Sequence, residues 1–159
     1  MKAATVRELK KELSTYSQDD LMKICLRLSK FKKENKELLT YLLYEAENEE
    51  GYLDSIKAKM DTEFEQVNRR SYYLIKKMVR KILREAKKYI RYSQKKDSEV
   101  EILLHFCKRL KAFKPSIHRD ATLENIYLRQ LASIEKKISK LHEDLQYDYE
   151  EEIRELKKT

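Results

Sequence analysis

The chain has 159 residues with one Gly (Gly51) and one Pro (Pro115), and it carries 36 Lys or Arg against 28 Asp or Glu, a net charge of +8. So little Gly leaves almost nowhere for tight hairpin turns, which argues against a β-rich fold, and it excludes Gly-rich phosphate-binding loops. A charged fraction of 40% beside a hydrophobic fraction of 41% suits helices with narrow apolar faces and wide solvated ones.

The first residues, Met1 to Glu8, run straight into charge and lack the apolar core of a signal peptide. No stretch approaches the ~20 apolar residues of a membrane span. A soluble, cytoplasmic protein is the expectation, with no membrane contact. Cys25 and Cys107 belong to no C-x-x-C pair, and both fall on apolar helix faces, so both are expected to be reduced core residues.

The first helix is announced by Thr5-Val6-Arg7-Glu8, the spacing of a capping box, with Val6, Leu9, Leu13 and Tyr16 on one face. Ser17-Gln18-Asp19-Asp20 opens a second helix, whose acids suit the positive end of its dipole. Its expected buried stripe is Leu21, Ile24, Cys25, Leu28 and Phe31. Asn35 is the expected cap of a third helix carrying Leu38, Leu39, Leu42, Leu43 and Ala46. Asn48-Glu49-Glu50-Gly51 breaks the chain, and Leu53, Ile56, Met60, Phe64 and Val67 keep helical spacing beyond it. A fifth helix runs from near Ser71 to Tyr92, either separate from the fourth or continuous with it. Ser98 to Glu101 again has capping-box spacing, ahead of Leu103, Leu104, Cys107, Leu110 and Phe113; Pro115 ends that helix.

The last predicted helix is the longest, Thr122 to Leu156, on the order of 50 Å at 1.5 Å per residue. Tyr127, Leu131, Ile134, Ile138, Leu141 and Leu145 alternate at heptad spacing and form a candidate seam for a partner helix. That partner is either a copy of the chain or helices four and five, running antiparallel. The expected fold is therefore an all-α, multi-helix bundle of six to seven helices with a C-terminal helix of coiled-coil character. It is expected to form one domain, with compact N-terminal helices over 1–47 and longer antiparallel helices over 48–159.

Charge is concentrated in one place. Residues 69–96 hold 12 Lys or Arg and one acid, Glu85, a local charge of +11 that leaves −3 for the rest of the chain. On a helical wheel, Ile75, Met78, Val79, Ile82, Leu83, Ala86, Tyr89 and Ile90 fill one arc. Lys76, Lys77, Arg80, Lys81, Arg84, Lys87, Lys88 and Arg91 fill the opposite arc without interruption. The candidate polyanion-binding residues are Arg69, Arg70, Lys77, Arg80, Lys81, Arg84, Lys87, Lys88 and Arg91. Such a ridge suits nucleic-acid phosphates, with salt-dependent affinity, or an acidic protein partner. A membrane surface would need free apolar side chains, which here belong to the core arc. The ridge could equally be solvated, or neutralised within the fold by the acidic segments 45–50 and 143–155. No base-reading motif is present, so a nucleic-acid contact would be to the backbone.

Motifs of catalysis stop short. His118-Arg119-Asp120, followed by Asn125, has the spacing of a protein-kinase catalytic loop, but no D-F-G follows, no V-A-I-K precedes, and one Gly cannot build the phosphate-covering loop. A turn leading into a helix capped by Asp120 or Thr122 accounts for the same residues. His105, His118 and His142 are scattered, without H-E-x-x-H or Glu-x-x-His spacing. No catalytic, metal or cofactor residue is assigned, and the expectation is a non-enzymatic binding or scaffolding protein. The alternative is a protein–protein interaction module, self-associating through the C-terminal seam, with no nucleic-acid role.

The run Val6-Arg7-Glu8-Leu9-Lys10-Lys11-Glu12-Leu13, then Ser17 to Leu28 and Lys33-Glu34-Asn35-Lys36-Glu37-Leu38-Leu39, resembles the start of a domain-of-unknown-function family of small helical bacterial proteins. Leu74-Ile75-Lys76-Lys77 is a second point of similarity. The resemblance covers about the first 45 residues and implies a helical fold with no assigned activity. Val6 to Leu13 is also similar to the first helix of SAP-type DNA-binding motifs, without the glycine-bearing turn of that motif.

Overall fold

A computed structural model describes residues 1–158. Every regular element among the described residues is helical, and no helix is long and apolar enough to cross a membrane. The described residues form eight α-helices rather than six or seven, and they divide into two compact units that meet in sequence between Tyr44 and Glu45, three residues before the expected end of the N-terminal helices at 47.

In the first unit, α1 (Val6–Leu13), α2 (Gln18–Phe31) and α3 (Lys33–Thr40) follow in order, with a π-helical turn over Tyr41–Glu45 after them. The Thr5 capping box forms in both directions: the Thr5 hydroxyl accepts from the Glu8 amide, and the Glu8 carboxylate takes the Thr5 amide at 2.7 Å. Ser17 caps α2 by accepting from the Asp20 amide. Asn35 does not cap α3; Lys32 holds that position without a side-chain bond, and the Asn35 side-chain Nδ2 instead donates to the Leu28 carbonyl at 2.9 Å. Asn35 thereby ties α3 to the end of α2, and these two helices pack together. The expected buried stripe is not buried. Leu28 and Phe31 stand 57% and 76% exposed, Cys25 is exposed, and Ser29 is the only buried residue of α2. Leu42 and Leu43 are exposed as well. A 44-residue segment with so few layers cannot enclose every apolar face it carries.

The second unit holds α4 (Glu49–Glu65), α5 (Tyr72–Ser93), α6 (Lys96–Ala112), α7 (Ala121–Ile138) and α8 (Glu143–Lys157), with a short 3-10 turn over Ile117–Arg119. α6 is the hub, packed against α4, α5, α7 and α8, and this explains its wide buried arc of Val100, Ile102, Leu103, Leu104, Phe106, Cys107 and Leu110, with Glu101, His105, Lys108 and Arg109 on the remaining side. So wide an apolar arc belongs at the centre of a bundle. Phe106 is fully enclosed, its ring 5.7 Å from that of Phe64, which also meets Phe113 at 6.2 Å. Leu53, Ile56, Met60, Phe64 and Val67 are buried as their spacing predicts. α4 and α5 are separate helices, each with its own cap: Asn48 accepts from the Gly51 amide, and Ser71 from the Leu74 amide.

Ser98 is not a cap. α6 begins two residues earlier, and Ser98 is wholly buried, donating to the Glu49 carboxylate at 2.7 Å. The predicted C-terminal helix is also two helices. α7 stops at Ile138, the Lys140 and Leu141 amides close tight turns onto the Lys137 and Ile138 carbonyls, and His142 starts α8. The Gln146 side chain bonds back to the Leu141 carbonyl at 2.7 Å. A straight helix would carry its last turns past the bundle; folding back lets α8 lie on α6 and α7 and bury Ile153 and Leu156. The heptad seam is consequently divided. Tyr127, Leu131, Ile134 and Ile138 are core residues of this unit, while Leu141 lies in the turn and Leu145 is 39% exposed on α8. Four of the six seam positions are thus already covered within the fold.

Candidate polyanion-binding site

α5 owes its position to its apolar arc. Ile75, Val79, Ile82, Ala86 and Ile90 are buried against α4 and α6, which turns the opposite arc to solvent. The cationic arc is less uniform than its sequence. Lys76 is half-buried and pairs with Asp120 at 3.1 Å. Lys88 is half-buried, its ammonium 5.0 Å from the centre of the Tyr89 ring, and it and Arg91 have protein partners. Lys77, Arg80, Arg84 and Lys87 are exposed and make no ion pair or hydrogen bond through their side chains. Lys81 is exposed and unpaired too, though its field reaches the Glu63 and Glu85 carboxylates. Successive members of this row are three or four residues apart, so they rise along one side of the helix at about 5 Å per turn.

The one acid of the basic stretch is occupied elsewhere. Glu85 accepts from Lys59 of α4 at 2.8 Å, and Lys59 also donates to the Tyr89 hydroxyl at 2.7 Å. The Lys59 hydrogen bond holds the Glu85 carboxyl below its ordinary range despite partial burial. Burial works against the Lys59 ammonium, but its bonds to Glu85 and Tyr89 outweigh that and keep it charged. Neighbouring Glu63 behaves oppositely: burial, and then the nearby Glu85 charge, raise its pKa.

The acidic segments neutralise other cations. Glu49 binds Lys95 at 3.2 Å together with the Ser93 and Ser98 hydroxyls. In α8, Glu152 pairs with Lys108 at 2.7 Å and Glu155 with Lys158. Glu99 and Glu135 take Lys137 and Lys157. The free row on α5 is not cancelled by either segment.

Tertiary packing adds cations that the sequence separates. Arg69, in the turn before α5, lies over the Phe113 ring at 4.8 Å, and the Tyr72 hydroxyl donates to the Ser116 carbonyl at 3.2 Å. These contacts bring the segment after α6 beside the start of α5. Arg70, Lys114 and Arg119 are exposed with their side chains unpaired, and Tyr73, next to Tyr72 in the first turn of α5, stands 72% exposed. Arg70 was legible as part of the basic run. Lys114 and Arg119 were not, because they lie more than 40 residues away in sequence and are placed by contacts between distant residues, the Lys76–Asp120 pair among them.

The kinase-like spacing resolves into structure. Asp120 accepts from the Thr122 and Leu123 amides at 3.0 and 3.1 Å as the cap of α7, and its other oxygen takes Lys76. Burial disfavours the Asp120 charge, but these amides and Lys76 together hold its pKa below the usual range. His118 meets Glu124 at 3.1 Å and the edge of the Tyr127 ring. Among the described residues no three His, Cys, Asp or Glu converge as a metal site. Compared with protein-family models, curated proteins and solved structures, the chain matches none.

Proposed function

We propose that the chain is a non-enzymatic binding protein that holds a nucleic-acid backbone on the free cationic row of α5. The observation that carries the reading is the row itself: Lys77, Arg80, Arg84 and Lys87 are exposed without a carboxylate partner, whereas Lys76, Lys95, Lys108 and Lys137 are all paired. An unpaired row on a helix whose opposite arc is held in the core presents a fixed field to a polyanion, and each phosphate it neutralises releases counterions. The side chains are Lys and Arg with no Asn or Gln among them, which suits phosphate contact over base reading. Both cysteines are free, in keeping with a reducing, cytoplasmic setting.

The test is binding of labelled DNA and RNA across a salt series, beside a variant carrying Arg80→Glu, Arg84→Glu and Lys87→Glu. Affinity is expected to fall with salt with a log–log slope of about −3 to −5, the value for roughly four or five phosphates. The variant is expected to lose binding at every salt concentration. Absence of binding at low salt, or binding indifferent to the three substitutions, overturns the reading.

A further inference from the structure

We infer that this surface takes a single-stranded nucleic acid, with Tyr73 as a base-stacking platform at one end of the cationic row. The inference rests on the polyanion reading above and narrows its ligand.

Tyr73 differs from its neighbours on α5. The Tyr72 hydroxyl is bonded to Ser116, Tyr89 is bonded to Lys59, and Tyr92 is buried. Tyr73 alone of the four stands largely exposed, and its hydroxyl has no protein partner. It precedes Arg80 by two helical turns and Arg84 by three, so at 3.6 residues per turn its ring projects from the same arc as the free cations. Arg69 and Arg70 lie in the turn just before it, and Phe113, under the Arg69 guanidinium, holds the segment that carries Lys114 against that turn.

An exposed aromatic ring among unpaired cations is the arrangement that sequence-tolerant single-strand binding uses: cations follow the backbone while an unstacked base lies on the ring. In a duplex the base faces are already stacked and closed to a side chain on the protein surface. A duplex would therefore meet only the Lys and Arg, and the Tyr73 ring would add nothing. An acidic protein would meet the cations through its carboxylates, and it offers no run of unstacked bases for the ring.

The decisive experiment measures fluorescence anisotropy of labelled oligothymidine, oligouridine and a duplex of equal length, against wild type, Tyr73→Ala and Tyr73→Phe. Wild type is expected to prefer both single strands. Tyr73→Ala is expected to weaken single-strand binding by about 5- to 150-fold, the range for one stacked base, and to leave duplex binding unchanged. Tyr73→Phe, which keeps the ring, is expected to stay close to wild type. Helical circular dichroism identical to wild type shows that Tyr73→Ala is folded. Equal wild-type affinity for strand and duplex, or an equal loss on both in Tyr73→Ala, overturns the stacking platform while leaving the polyanion surface standing. No binding of any of the three oligonucleotides by wild type overturns both.

Discussion

Lys76 and Asp120 lie 3.1 Å apart, so one carboxylate both starts α7 and anchors the first turns of the basic helix. Asp120 divides its two oxygens between the jobs, one for the Thr122 and Leu123 amides and one for the Lys76 ammonium.

Asp120→Ala removes the cap and leaves half-buried Lys76 without its counter-charge, and thermal denaturation should show a clearly lower midpoint. Asp120→Asn keeps an amide acceptor for the cap and should lose less. Because the folded Asp120 has a depressed pKa, its stabilisation is fully present above the unfolded pKa and is lost as pH falls through the folded one. The gap between wild type and Asp120→Asn should therefore close in strongly acidic buffer. A gap that persists there assigns the effect to shape and not to charge.

Glu63 carries the opposite sign. Its raised folded pKa means that ionisation favours the unfolded chain, a penalty that appears as pH rises past the unfolded value and is complete above the folded one. Glu63→Gln should stabilise the protein at neutral pH by a few tenths of a kcal/mol, a figure reduced for partial solvent exposure, and the gain should vanish at low pH. Urea titrations at the two pH values give the comparison.

At the hub, Phe106→Ala should cost about 3–5 kcal/mol, because a ring fully enclosed beside Phe64 leaves a cavity that the surrounding helices fill only in part. Arg84→Ala, on the exposed row, should stay within about 0.5 kcal/mol of wild type. Equal effects on chemical denaturation would contradict the placement of α6 at the centre.

The end of α8 is latched from α6 and α7. Lys111 donates to the carbonyls of Glu155, Leu156 and Lys158 at 2.5–3.1 Å, and the Tyr127 hydroxyl donates to that of Leu156 at 2.7 Å. These are terminal carbonyls with no partner inside their own helix, and a cation there also suits the dipole. Lys111→Met should speed hydrogen exchange in α8 by about tenfold, equivalent to ~1.4 kcal/mol, while α5 keeps its wild-type rates. Uniform acceleration across both helices would show that α8 does not open separately.

The two cysteines should differ towards a thiol reagent. Cys107 is fully enclosed and burial pushes its thiol up to about 12, so little thiolate forms near neutrality. Cys25 is exposed. One equivalent should react quickly in the native protein and the second only after denaturation; two fast equivalents would contradict the enclosure of Cys107.

Periodicity and capping chemistry are local, and the sequence alone determined what depends on them: an all-helical chain, the Thr5 and Ser17 starts, a start near Ser71, the break at Asn48 to Gly51, the stripe from Leu53 to Val67, and the division of α5 into an apolar arc and a cationic one. Contacts between distant residues decided the rest. Ser98 has a cap's spacing, yet Glu49, 49 residues away, draws it inside. Leu28 and Phe31 have the spacing of a core stripe, but spacing shows only which side chains share a face, and the first unit has too few layers to cover it. The heptad from Tyr127 runs on without Gly or Pro, and only the chance to bury Ile153 and Leu156 against α6 and α7 breaks the helix before His142. Whether the basic ridge was free could not be read from composition either, since charge cancellation depends on which carboxylate reaches which cation. Tertiary packing gave Glu85 to Lys59 and Asp120 to Lys76, left Arg80 and Arg84 open, and set Lys114 beside Arg69.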